Sequence, residues 1–219
     1  MRRCSAAGDI VANSSRNDLG GLIGRLVFYG KSSDYSTPAV IDSYASGNIG
    51  TTETAGSNRG GLIGYASGNG SLVKNTFSMG DINCGSSCGG LIGYLTETYT
   101  SGSASSTVTA IASSFSYSTV SGNSGALVGS YNVSSSVAVG ISNGYFDSVT
   151  SGVTSCFYNG TYNGATTNCT NIANNPASAA TYFSSASNAP LSLWDFTAST
   201  GVWEIVNDAG LNRPALQSE

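Results

Sequence analysis

The chain has no histidine. That absence removes the HExxH helix of zinc proteases, the Ser-His-Asp triad and the Cys-His nucleophile pair in their usual forms. A Ser-Lys pair is formally open to Lys31 or Lys74, but neither stands in a recognisable motif. Charge is also scarce: 9% of residues are Asp, Glu, Lys or Arg, and the net charge is −4. The eight basic residues are scattered, with Arg2-Arg3 the one adjacent pair, so no basic stripe marks nucleic acid as a partner. No apolar run reaches the roughly 18 residues of a transmembrane helix, so membrane insertion is not expected. Cys4-Ser5-Ala6-Ala7-Gly8-Asp9 lacks the apolar stretch of a signal peptide; an export signal is expected upstream or already removed. Acidic nonapeptides and EF-hand loops are missing too, which leaves calcium without a motif, and no cofactor is implied.

What is present is glycine, serine, threonine and asparagine, with 12 Tyr, 7 Phe and 2 Trp. Disordered chains are poor in aromatic and β-branched residues, so this composition argues for packed β structure. The dominant signal is a repeat. Gly20-Gly21-Leu22-Ile23-Gly24 returns as Gly60-Gly61-Leu62-Ile63-Gly64, as Gly89-Gly90-Leu91-Ile92-Gly93, and as Ser124-Gly125-Ala126-Leu127-Val128-Gly129. The block leucines Leu22, Leu62, Leu91 and Leu127 lie 40, 29 and 36 residues apart, so the motif is constant and the connections vary. Between blocks runs a second element: Val40, Tyr44, Gly47, Ile49; then Val73, Phe77, Gly80, Ile82; then Ile111, Phe115, Ser118, Val120; then, in part, Ile141, Tyr145, Ser148. Gly8-Asp9-Ile10 matches Gly80-Asp81-Ile82, so the chain starts within a copy and the opening half of the first repeat is expected to be missing. Each block reads as a short strand entered and left through glycines. One such coil cannot bury its apolar face, whereas coils stacked about 4.8 Å apart bury a continuous ladder.

The four blocks, with aromatic elements such as Asp42-Ser43-Tyr44-Ala45-Ser46-Gly47-Asn48-Ile49, resemble the GLUG repeats of bacterial surface proteins over roughly residues 4 to 150. The resemblance implies a right-handed parallel β-helix in a large secreted or surface-anchored adhesin, and it assigns no catalytic residue to the repeat. The fold expected is therefore all-β: a β-solenoid over 1–152, then a disulfide-pinned loop and C-terminal cap over 153–219. In that last region Asn174-Asn175-Pro176 offers a cap for a short helix over Ala177–Phe183. Leu191–Phe196 and Val202–Val206 alternate as strands do. With Arg213-Pro214-Ala215-Leu216 they look like the segment that closes GLUG arrays, expected to cover the open end of the solenoid.

On the extracellular reading, Cys84 pairs with Cys88 and Cys156 with Cys169, leaving Cys4 unpaired; the alternative is five reduced thiols. A zinc site has neither histidine nor CxxC spacing to support it. Asp9, Asn48 and Asp81 hold equivalent repeat positions and should stack as a polar ladder. Asp42 and Asp147 lie near the aromatic elements but out of matching register. Two carboxylates about 5 to 9.5 Å apart would suffice for glycosidic cleavage, so a carbohydrate-active hydrolase or lyase is the second functional reading. Tyr99, on the longest insertion, and Trp194 and Trp203, in the cap, are the candidate sugar-stacking residues; for each the plainer reading is a solvated loop or cap core. The leading reading is an adhesive or structural stalk meeting a glycan or a host or matrix surface. Asn-x-Ser/Thr sequons at Asn13, Asn69, Asn132, Asn159 and Asn168 are ordinary for this composition, and ice binding lacks regular Thr-x-Thr ladders.

Overall fold

A computed structural model of the chain describes residues 1–12, 16–28, 37–50, 56–68, 71–96, 108–132, 139–161, 167–173, 179–208 and 211–217. It is a parallel β-helix of three sheets. The first rung is β1 (Ser5–Ala6), β2 (Leu19–Gly20) and β3 (Ile23–Phe28); the second is β4 (Val40–Ala45), β5 (Ser57–Gly60) and β6 (Ile63–Gly68). The third is β7 (Val73–Asn83), β8 (Ser86–Gly89) and β9 (Ile92–Thr96); the fourth is β10 (Val108–Ser121), β11 (Ser124–Gly125) and β12 (Val128–Asn132). Like strands pair in parallel: β1-β4-β7-β10-β13-β15 in the first sheet, β2-β5-β8-β11 in the second and β3-β6-β9-β12-β14 in the third, where β13 is Val139–Phe146, β14 Phe157–Thr161 and β15 Thr167–Asn171.

The repeat register is the pairing register. Ile23, Ile63, Ile92 and Val128 pair in sequence in the third sheet, and Tyr44, Phe77, Phe115 and Tyr145 in the first. Leu62, Leu91, Leu127, Ile63, Ile92, Val128, Val73 and Ile111 are fully buried and fill the tube with one continuous core. Even the turn within each block is bonded rung to rung, as Leu62 N–H donates to the Leu91 carbonyl at 3.0 Å and Leu91 N–H to that of Leu127 at 3.0 Å. The glycines are required by proximity. A Cβ on Gly60 would fall on the Ile63 carbonyl oxygen, and one on Gly61 would stand 2.6 Å from the Ser78 Cβ of the neighbouring sheet. Ala126, in the glycine position of the fourth block, is fully buried and keeps the pattern, its N–H donating to the Ser155 carbonyl at 2.8 Å.

Two boundaries differ from the sequence reading. The opening strand of the first repeat is present: Ser5 pairs with Tyr44 and Ala6 with Ala45, so Met1, Ser5, Gly8 and Ile10 stand where Val40, Tyr44, Gly47 and Ile49 stand one rung later. Serine in the aromatic position hides the match. At the other end the coil does not stop at residue 152. Asp147 caps the short helix α1 (Ser148–Ser151), β14 adds a fifth rung to the third sheet and β15 a sixth strand to the first. Both disulfides form as expected, Cys84–Cys88 and Cys156–Cys169, and Cys4 is free. The first pins the corner between β7 and β8; the second ties the fifth rung to β15.

The C-terminal segment contains α2 (Ala179–Tyr182) and an antiparallel hairpin of β16 (Trp203–Asp208) and β17 (Leu211–Leu216). The expected helix is described over Ala179–Tyr182 and has ended by Phe183, while its opening residues and proposed cap at 174–178 lie outside the described residues. The strand expected over Leu191–Phe196 is instead a 3-10 turn at Leu191–Leu193, with Trp194 N–H donating to the Leu191 carbonyl at 2.9 Å. Leu191 and Trp194 are buried while Leu193 is 56% exposed, a spacing of three that fits the 3-10 period rather than strand alternation. The described residues of this segment join the aromatic cluster outside the tube, and none of them joins the core within it. The segment lies along the outer face of the first sheet, where Trp203 meets Tyr44 and Phe77, Trp194 meets Phe77 and Phe115, and Phe183 stacks on Phe115 with centroids 4.0 Å apart.

Candidate functional site

That flank accounts for both tryptophans. Trp203 is fully buried and Trp194 is 6% exposed, and the Trp194 indole N–H donates to the Ser113 carbonyl at 2.8 Å. Of the two readings for these rings, cap core and sugar stacking, their burial fits the first: the aromatic row of the first sheet projects outward, and the tryptophans cover it. Arg213 completes the seal over the Tyr44 ring at 5.5 Å and pairs with Asp208 at 2.8 Å. Burial by itself would lower the Arg213 guanidinium, but hydrogen bonds to Tyr44 and Asp208 hold it above its ordinary value. The Tyr182 hydroxyl is pushed up by burial and then by neighbouring Tyr145. Tyr99 lies outside the described residues.

The polar ladder is present. Asp9 Oδ1 accepts from the Asn48 N–H at 2.8 Å, and Asn48 Oδ1 accepts from the Asp81 N–H at 2.8 Å, so each side chain binds the backbone of the next rung. The two carboxylates are two rungs apart, roughly 10 Å, with an amide between them. The other candidate carboxylates serve the coil. Asp42 is 3% exposed and accepts from Arg2 and Asn75, while Asp147, equally buried, accepts from the N–H groups of Val149 and Thr150 and from the Thr150 hydroxyl. A carboxylate pair set across a cleft is not among these arrangements.

Among the described residues, one row of outward-facing side chains runs along the third sheet. In each rung the residue after the closing glycine of the block points out of the tube, and these residues pair in register: Arg25 with Tyr65, Tyr65 with Tyr94, Tyr94 with Ser130. The Arg25 guanidinium lies 4.4 Å over the Tyr65 ring, and Tyr65 and Tyr94 stack with centroids 5.5 Å apart and planes 8° from parallel. Both rings are half-buried, and neither phenol hydroxyl has a hydrogen-bond partner among the described residues.

Beside this row runs a second, Asp18, Asn58 and Ser87, all with left-handed backbone at φ 58°, 55° and 56°. Asn58 donates to Asp18 at 2.8 Å, Asp18 faces Arg25 at 3.5 Å, and the Ser87 hydroxyl donates to that of Ser130 at 2.8 Å. The two rows form a strip two residues wide: a cation, two rings and a hydroxyl, edged by a carboxylate, an amide and a hydroxyl. The glycine-block motif does not include this row, which lies one residue beyond each block. The usable signal was the residue after each block, Arg25, Tyr65, Tyr94, Ser130, which the repeat register places on one line.

Searches against protein-family models, curated proteins and solved structures find no match to this chain.

Proposed function

We propose that this chain is a β-solenoid segment of a secreted or cell-surface protein of the GLUG-repeat kind, and that it acts in adhesion by holding glycans along the outer face of its third sheet. The observation that carries this reading is the Arg25–Tyr65–Tyr94–Ser130 row, with ring edges held at rung spacing and phenol hydroxyls that have no hydrogen-bond partner among the described residues. Aromatic surface with a polar tip suits partners that are apolar on one side and wet on the other, and sugars are of that kind. Two disulfides fit an oxidising compartment, and no described helix is long and apolar enough to cross a membrane.

The test is to pass the chain over an array of immobilised glycans and matrix proteins, scoring retention of the chain and loss of the ligand together. Retention on glycans without loss is the expected result. Loss of a sugar would replace adhesion by glycan cleavage, and retention on nothing would sink the adhesive reading.

A further inference from the structure

The tyrosine row is open at one end only. Tyr65 is flanked on both sides, by the Arg25 guanidinium at 4.4 Å and by Tyr94 at 5.5 Å. Among the described residues Tyr94 stacks on Tyr65 alone, and its next partner in register is Ser130, whose side chain is too short to lie across a phenol ring. Elsewhere in the molecule the corresponding rings are covered: Arg213 lies over Tyr44, and Phe183 lies on Phe115. Among the described residues nothing planar takes the next place on Tyr94.

We infer that the face of Tyr94 turned toward Ser130 is a subsite for one neutral pyranose residue. A ring entering there would continue the stack at the spacing of an aromatic pair, about 4.5–7 Å between centroids. Two hydroxyl protons are available at its rim. Ser130 Oγ accepts from Ser87 Oγ at 2.8 Å and leaves its own O–H uncommitted, and the Tyr94 O–H has no described partner. One apolar face with hydroxyl groups beside it matches a pyranose, whose C–H face and hydroxyl edge are at right angles. An anionic ligand fits less well, because the nearest cation in the row, Arg25, stands two rungs away and faces Asp18. This subsite rests on the glycan-holding reading above and names its position and ligand class.

The test is saturation-transfer NMR of the intact chain with the methyl glycosides of β-glucose, β-galactose and α-mannose, each at millimolar concentration, in parallel with the glycan array. Two variants bear on the site. Tyr94→Ala removes the platform; Ser130→Leu puts an aliphatic side chain where the sugar would lie without adding a ring, and thermal unfolding confirms that it folds. Transfer to the ring C–H protons of at least one sugar, falling about tenfold in both variants, is the expected result. Transfer that persists in Ser130→Leu overturns the subsite, as does array retention without any transfer, and both leave the glycan reading standing. Neither transfer nor retention overturns the two together.

Discussion

At the residue scale the fold depends on places where a side chain has no room. Gly60, Gly89 and Gly125 open the block in three rungs, and a Cβ on Gly60 would meet a carbonyl oxygen of its own rung and the Gly93 nitrogen of the next at 2.5 Å. Replacing Gly60 by Ala should therefore lower stability by about 1–3 kcal/mol, read as an earlier midpoint in urea with an unchanged slope. An unchanged midpoint would show that the block relaxes freely. A second class of position is left-handed in five successive rungs: Arg3, Asp42, Asn75, Ser113 and Asn143 have φ of 53°, 51°, 51°, 45° and 54°, and four of the five are short polar residues. Short polar side chains tolerate that region because they can bond locally, and here Asn75 donates to Asp42 at 3.0 Å. The alignment of Asp, Asn, Ser and Asn was readable from the repeats, but its backbone meaning was not, since the same residues serve equally well in loops.

At the element scale the disulfides divide the labour. Cys84–Cys88 closes a corner within one rung, while Cys156–Cys169 spans 13 positions and holds β15, the last strand of the first sheet. By chain entropy, removing the second as Cys156→Ala/Cys169→Ala should lower stability by about 3 kcal/mol, and Cys84→Ala/Cys88→Ala by about 2 kcal/mol. Urea titrations of the two double variants give the order; a larger loss from the shorter bridge would mean that packing around Cys88, not chain entropy, dominates. The C-terminal elements were partly legible. Trp203 to Val206 is strand as its alternation suggested, but Leu191 and Trp194 face inward three residues apart. In a short run ending in a single turn, a period of two and a period of three give nearly the same pattern.

At the scale of the whole molecule the repeats make stability one-dimensional, each rung supported by its neighbours. Leu22 and Ile23 of the first rung are half-exposed, whereas Leu62, Ile63, Leu91 and Ile92 are fully buried. Amide exchange should therefore slow from the first block to the second and third, although the Leu22 and Leu62 N–H groups both donate at 3.0 Å. Equal protection across the blocks would instead mean that the tube opens as a single unit. The same geometry separates two surfaces: the first sheet is sealed by the C-terminal segment, and the third presents its row outward.

The repeat sequence by itself determined the coil, the leucine and isoleucine ladder and the Asp9–Asn48–Asp81 stack, because period and spacing fix what pairs with what in a parallel array. The two cysteine pairings also followed from the sequence, on the extracellular reading. What it could not determine was which aromatic row is covered. The first-sheet row of Tyr44, Phe77, Phe115 and Tyr145 and the third-sheet pair Tyr65 and Tyr94 both follow the repeat register and are both directed outward from the tube. Only the placement of Trp194 and Trp203 against the first sheet, a contact between residues some 80 to 160 positions apart, buries one row and leaves the other half-open. Such a contact depends on where the chain returns after its last rung, and no local pattern records that.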